Sequence, residues 1–352
     1  MCKPFNLTPL SCAWRGASNG FARYSCLKTN PETLVITGTH GYLGRQLVTG
    51  LAARIAAGEL AAVIATDVRE VPQQQRQPRV LYLIADIRQP GLDLILRQHA
   101  VDTVVHLASI VTPGKKSERA FECSVDVEGT KNVLEACITA GVGHIIISSS
   151  CASYGYHADN PAWLSESDAL RGNYEFAYSW HKRLVEEMLA RYRQSHPELK
   201  QIIFRISTIL GDTVRNQITD LFEKPRLIAI RGSDSPFVFI WDQDVVGAFL
   251  FAIESGKSGI FNLTGDGALT IYQLAARLGK PVVALPASVI EAALWILKKL
   301  RLTQYGPEQV KFLRYRPVLD NRRLKDEFGY VPAKTSAAVF DYWLQTRKPD
   351  QR

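Results

Sequence analysis

Tyr178 and Lys182 stand four residues apart in a segment reading Tyr-Ser-Trp-His-Lys. On a helix, positions i and i+4 share a face, so the phenol and the ammonium would converge on one side. A phenol titrates near ~10, and serving as a proton carrier near pH 7 requires a shift of about three units, or roughly 4 kcal/mol. A neighbouring ammonium together with an oxidised nicotinamide cation supplies such a shift by favouring the phenolate. Pairs of this kind arise by chance in helices, and alone this one decides nothing. Its weight comes from what precedes it: a serine-rich run, Ser148-Ser149-Ser150, and further upstream a glycine turn.

That turn reads Leu34-Val-Ile-Thr-Gly-Thr-His-Gly-Tyr-Leu-Gly44. The apolar run ending in Thr37 has the form of a buried parallel strand, and Leu43, Leu47, Leu51 and Ile55 follow at helical spacing. Between them lie Gly38, Gly41 and Gly44. Residues without a Cβ let the backbone bend sharply and let a diphosphate reach amide N–H groups at the positive end of the helix. An ordinary glycine-rich turn would explain the glycines alone. It would not explain Asp67, which closes the next apolar run about ~20 residues on, where a carboxylate accepts hydrogen bonds from a ribose hydroxyl.

The spacing Gly-x-x-Gly-x-x-Gly behind Thr37 resembles the fingerprint of the extended short-chain dehydrogenase/reductase superfamily, in its NAD-dependent epimerase/dehydratase branch. Ser149-Ser150-x-x-x-Tyr154-Gly155 followed by Tyr178-x-x-x-Lys182 is similar to the catalytic arrangement of those enzymes. The resemblance implies that Ser150 holds the substrate oxygen, Tyr178 moves its proton, and Lys182 lowers the tyrosine pKa while binding the nicotinamide ribose. Ser149 takes the serine role if the register slips by one. By the same resemblance the cofactor is held by Gly38, His40, Gly41, Tyr42, Leu43 and Gly44 in the turn, Asp67 on the adenosine ribose, and Asp86 with Ile87 at the adenine edge. Leu107 and Ala108, in His106-Leu-Ala-Ser109, pass close to it, and Ser207 lies near the nicotinamide end with Tyr178 and Lys182. NAD is expected over NADP because Asp67 repels a 2′-phosphate, although Arg69 lies nearby.

The chain departs from the pattern in places. Asp126 stands where the family has Asn, which leaves its part in the fold or in a proton relay open. Phe237 stands where nucleotide-sugar enzymes carry an Arg for the diphosphate, and an apolar ring cannot replace a bidentate guanidinium. Cys151-Ala152 occupy the places of the Asp-Glu pair of 4,6-dehydratases, which disfavours dehydration. What remains is hydride transfer at a carbinol or carbonyl carbon of a small molecule less anionic than a nucleotide sugar. The alternative is a nucleotide-sugar epimerase with transient oxidation. A non-catalytic dinucleotide sensor or assembly factor would need neither Tyr178 nor Lys182. A Ser/His/Asp hydrolase lacks its Gly-x-Ser-x-Gly elbow here. Cys151 has no evident base beside it and reads as a packing residue, and His181 as a residue of the helix surface.

Strand-like runs that alternate with helical periodicity must position these groups: Val63 to Ala65, Val80 to Ile84, Thr103 to Leu107, His144 to Ile147 and Gln201 to Ile206. Repeated βα units imply an α/β fold, a Rossmann-type doubly wound parallel sheet whose ligands lie at the carboxyl ends of the strands. A smaller C-terminal substrate lobe follows from the resemblance, with Ile260 to Gly265 as a closing strand. The expected division is 31–206 plus about 234–265 for the NAD-binding domain, and about 207–233 and 266–352 for the substrate lobe. Residues 1–30 lack periodicity and are expected to form a disordered extension or to reflect a misplaced start site. Pro286 to Leu302 is apolar with a basic end and is expected to cover the substrate pocket rather than lie on a membrane.

Composition narrows the classes further. Apolar residues make up 46% and charged residues 22%, ordinary for a soluble globular protein. Of the net charge of +8, Lys3, Arg15, Arg23 and Lys28 supply half from an acid-free stretch. No basic run with interleaved aromatics marks a nucleic-acid partner, no run suits stable membrane insertion, and a homodimer stays open. Six cysteines show no Cys-x-x-Cys or metal-ligand spacing, so no metal is expected and reduced thiols in a cytoplasmic setting are.

Overall fold

Alternate residues of the first strand enter different cores. In β1 (Glu32–Thr37), Leu34 and Ile36 join one hydrophobic cluster and Val35 joins another, as successive side chains of a strand point to opposite faces. The computed structural model describes residues 32–111, 118–234, 236–300, 302–303 and 306–347; the expectation for residues 1–30 lies outside them. From β1 the chain runs through α1 (Tyr42–Ala56), β2 (Leu60–Asp67), β3 (Val80–Ile84), α2 (Leu92–Gln98) and β4 (Thr103–His106). A helix then begins as α3 (Arg119–Cys123), widens into a π turn at Ser124–Glu128 and continues as α4 (Gly129–Ala140). β5 (His144–Ser150), α5 (Ala177–Ser195), β6 (Lys200–Ile206), β7 (Thr208–Leu210), α6 (Gln217–Glu223), β8 (Leu227–Ile230) and β9 (Phe239–Trp241) follow. The chain ends through α7 (Asp242–Ser255), β10 (Gly259–Leu263), α8 (Ile271–Leu278), β11 (Val282–Leu285), α9 (Ala287–Lys299), α10 (Gln309–Arg314) and α11 (Ser336–Thr346).

Seven strands form one parallel sheet in the order β10-β6-β5-β4-β1-β2-β3. The order reverses between β1 and β4, and a crevice opens at the carboxyl ends of two such neighbours. Both faces are covered, which explains why the strands read as unbroken apolar runs. One core holds Leu47, Leu51, Phe204, Phe249 and Phe261 against α1 and α7; the other holds Ile145, Ile147, Leu134 and Leu189 against α4 and α5. The run at Ile260 becomes β10, the sheet edge beside β6.

The smaller lobe pairs β8 with β11 and gathers a third core around Phe222, Phe239, Leu274, Phe340 and Trp343. Its expected boundary is interrupted. Leu324 and Phe328, in a π turn at Leu324–Phe328, return to the first core, where Phe328 stacks on Phe261 at 4.7 Å and meets Phe251 at 5.0 Å. The C-terminal third is therefore not a continuous lobe segment. The apolar stretch from Pro286 forms α9, which buries only Ile290 and leaves Trp295 56% exposed.

Phe204 is fully buried in the first core, with the rings of Phe249, Phe328 and Phe261 at 5.0, 5.5 and 6.5 Å. Phe204→Ala leaves a cavity that these rings close only in part, so a loss of about 3–5 kcal/mol is expected. Urea unfolding checks this, and an unchanged midpoint would show that the core collapses onto the site.

Candidate active site

The glycine turn from Gly38 to Gly44 is shaped by contact with the neighbouring strand end. Gly38 has φ +76°, and a Cβ there would lie 2.6 Å from the Ala108 nitrogen; a Cβ at Gly44 would lie 2.5 Å from the Gly38 oxygen. Only glycine fits either place. Leu107 N–H donates to Thr37 O at 3.2 Å, which holds the Leu107-Ala108 backbone against the turn. Within α1 the ladder begins with Arg45 N–H to Gly41 O at 3.1 Å, and Gly41 offers no side-chain cap. The amides of Tyr42, Leu43 and Gly44 are thus left for an anion at the helix N-terminus. His40 does not join them, because its N–H donates to Asp67 Oδ2 at 2.8 Å. The Tyr42 phenol is likewise engaged elsewhere, donating to Asp242 of α7.

Asp67 closes β2 beside a pocket of about 270 Å³ lined by Thr39, Arg69, Val71, Arg76 and Ile84. Its Oδ1 accepts from Arg69 N–H at 3.1 Å, and the Arg69 guanidinium lies at 3.6 Å. A carboxylate and a cation therefore share this end. Asp86 is gripped by Arg88, whose side chain bonds both carboxylate oxygens and holds the carboxyl below its usual range. Ile87 is buried under Gly129. Neither lines the pocket. At the other end Ser207 Oγ is buried without a hydrogen-bond partner among the described residues. The glycine cradle, the free amides and this orphaned hydroxyl fit a dinucleotide.

Ser150, Tyr178 and Lys182 come together at the carboxyl edge of the sheet. Lys182 Nζ donates to Ser148 O at 2.9 Å and stands 5.5 Å from the Tyr178 ring centroid. Burial pushes the Tyr178 phenol above its ordinary value, while Ser150, its hydrogen-bond partner, pulls it down. The ammonium alone does not produce the lowered phenol expected from the sequence, since burial lowers the Lys182 pKa too and its proton faces a carbonyl. Ser149 does not join them: its hydroxyl donates to Glu186 Oε1 at 2.5 Å. Glu186 is one turn beyond Lys182 and takes both Nε and Nη2 of Arg205, at 2.9 and 2.7 Å. Arg205 also donates to Tyr154 Oη at 2.8 Å and to Glu166 O at 3.0 Å. Helical spacing from Lys182 was the one signal in the sequence that could have pointed to Glu186.

His181 is not on the helix surface. It is 1% exposed, and its Nδ1 lies 3.2 Å from Asp126 Oδ2. The other Asp126 oxygen accepts from Ser109 Oγ and Ile110 N–H, both at 2.9 Å. Burial would raise the Asp126 pKa, but His181, Lys182 and these two bonds outweigh it and hold the carboxyl below its usual range. The unusual Asp in the sequence and the His of the Tyr/Lys segment are thus two halves of one interaction. Cys151 stays a thiol, since burial pushes it up to about 11.

The place left apolar by Phe237 is not without a guanidinium. Arg316, between α10 and the buried Leu319, stacks over Phe237 at 3.9 Å and over Phe312 at 4.6 Å. Its Nε and Nη2 are buried with no hydrogen-bond partner among the described residues. Phe312 in turn meets Tyr156 at 5.0 Å, and Tyr156 meets Phe176 at 5.5 Å, forming an aromatic wall beside Cys151 and Tyr178. Nothing in the local sequence marked Arg316. Among the described residues no group of His, Cys, Asp and Glu could hold a metal ion.

The depressed Asp126 pKa fixes the sign of a pH effect. Its stabilisation is fully present above the unfolded value of about 3.9 and is lost as pH falls through the lower folded value. Asp126→Asn is expected to cost about 3–5 kcal/mol near neutral pH, because the buried carboxylate that opposes the Lys182 charge and bonds His181, Ser109 and Ile110 is removed. Chemical denaturation of both proteins should show this gap narrowing below about pH 4. A gap that stays constant into acid would show that the carboxylate charge is not what stabilises the fold.

Comparison with known proteins accords with this geometry. The structure resembles UDP-glucose 4-epimerase of Thermotoga maritima with UDP-glucose (TM-score 0.67, 18% identity, covering 89% of this chain and 98% of that one). It also resembles the dTDP-glucose 4,6-dehydratase DesIV of Streptomyces venezuelae with NAD and TYD bound (TM-score 0.68, 21% identity, 89% and 96%). In sequence it is 27% identical over 322 residues to an uncharacterized protein of Mycobacterium tuberculosis, covering 90% of this chain and 84% of the relative. It is 25% identical to the 3beta-hydroxysteroid-dehydrogenase/decarboxylase isoform 2 of Arabidopsis thaliana, covering 85% of this chain and 59% of that protein. The model of the NAD dependent epimerase/dehydratase family matches residues 34–264, and the chain belongs to that family.

Proposed function

We propose that this protein is an NAD-dependent oxidoreductase acting at a carbinol or carbonyl carbon of a small-molecule substrate. The observation that carries the reading is the meeting of Ser150, Tyr178 and Lys182 at the sheet edge that also presents the glycine turn. A bound nicotinamide supplies the hydride acceptor or donor. The Tyr42, Leu43 and Gly44 amides take the diphosphate, Asp67 the adenosine ribose, and Lys182 and Ser207 the nicotinamide half; Asp86 keeps its assignment to the adenine edge through the Arg88-bound carboxylate. Ser150 Oγ orients the substrate oxygen, and Tyr178 Oη takes its proton in oxidation or returns it in reduction. Burial makes the phenol the resting form, so a cation brought next to it is what releases the proton. Lys182, held by Ser148 O, keeps the resulting phenolate paired.

The name of the Arabidopsis relative, a hydroxysteroid dehydrogenase, supports net oxidation of a carbinol. A nucleotide-sugar epimerase is the second reading, and Arg316 favours it, since a guanidinium with two unpartnered nitrogens suits an anionic substrate group. The two differ in outcome: net oxidoreduction changes nicotinamide absorbance and epimerisation of a UDP-sugar leaves it unchanged.

Calorimetric titration should give tighter binding of NAD than of NADP, as Asp67 requires; equal or reversed affinity would mean that Arg69 rules that end. Tyr178→Phe is expected to lower turnover by at least about 10²-fold, the usual worth of a positioned acid/base, with NAD affinity nearly unchanged. Lys182→Ala should weaken both. Full activity in Tyr178→Phe on any substrate found would remove the assignment.

A further inference from the structure

α9 leaves most of its apolar side chains facing water. Ile290 is its one buried residue, and with Leu294 it rests on Val310 and Leu313 at α10. Val289, Ala293, Ile296 and Leu300 recur at intervals of four, three and four along one flank, and Val289, Ile296 and Leu300 are 50%, 49% and 62% exposed. Trp295 adjoins this flank with the Lys299 ammonium 5.0 Å above its ring. A helix on a water-facing surface carries polar residues on its outer side. An apolar flank bordered by an indole and by Lys299, on a helix that ends in two lysines, has another use. Aliphatic side chains enter the acyl boundary, the indole sits at headgroup level, and lysine stems reach back to the phosphates. Among the described residues no helix is long and apolar enough to cross a membrane, so the contact is with a surface.

We propose that α9 docks this protein on anionic bilayers, with Val289, Ile296 and Leu300 inserted and Lys298 and Lys299 on the headgroup phosphates. Charge decides between a bilayer and a second copy of the chain. Both lysines sit at the C-terminal end of the helix, whose single acid, Glu291, is near the other end; anionic lipid satisfies that basic end directly. Lys298 already bonds Glu308 at 3.2 Å, an exposed pair that exchanges readily for phosphate. The placement also bears on the site. α9 rests on α10, which carries Phe312 of the aromatic wall, so docking would hold that wall close to the bilayer. This inference does not depend on the catalytic reading.

Flotation of the full chain with phosphatidylcholine vesicles, with and without phosphatidylglycerol, tests it. Binding should require phosphatidylglycerol, and Ile296→Glu with Leu300→Glu should weaken it about tenfold or more. Lys298→Gln with Lys299→Gln should remove the lipid preference. Unchanged NAD affinity and melting temperature in these variants would show that the fold is intact. No binding to phosphatidylglycerol vesicles, or equal binding by the Glu variant, would overturn the proposal. So would a dimer in light scattering that the Glu variant splits without any effect on vesicles, which would make the flank an interface between copies.

Discussion

The bidentate pair of Arg205 and Glu186 fixes the geometry on which the rest of the site depends. Glu186 lies on the face of α5 that carries Tyr178 and Lys182, and its carboxylate is bound from the sheet by Arg205 of β6 and Ser149 of β5. Both partners are almost fully buried, so the pair has nowhere else to find its charge balance. Because side chains alternate along a strand, tying Ser149 to the helix turns Ser150 to the opposite side, toward the phenol. The same guanidinium reaches Tyr154 Oη and Glu166 O, and Asn262 of β10 accepts from Tyr154 Oη and donates its N–H to Glu166 Oε1. One buried ion pair thus couples β5, β6, α5 and the loop that carries Glu166.

A second buried pair joins Asp126 to His181, the residue before Lys182. It joins the π turn before α4 to α5 and captures Ser109 and Ile110 beyond β4. The charges of Asp126 and Glu186 both oppose the effect of burial on the Lys182 ammonium. Where the family has a neutral amide this chain has a charge, and it has placed a histidine within reach to hold it.

The substrate side mixes two chemistries. Tyr156, Phe176, Phe312 and Phe237 give an aromatic wall, while Arg316 brings into it a guanidinium whose Nε and Nη2 have no hydrogen-bond partner among the described residues. A cation sandwiched between rings gains from their quadrupoles yet keeps its N–H edge for a ligand.

The sequence by itself determined the local things: the glycine turn, the carboxylate at the end of β2, the βα alternation and the Tyr178-Lys182 face. Each depends on spacing within one strand, one turn or one helix, and such periodicity survives in any context. It also left Ser149 and Ser150 as rivals, put His181 on a surface and denied the Phe237 position a guanidinium. These three were decided by partners distant along the chain: Glu186 for Ser149, Asp126 for His181 and Arg316 for Phe237. Burial and charge pairing are properties of the assembled sheet and lobes, and no local pattern encodes which distant side chain will arrive.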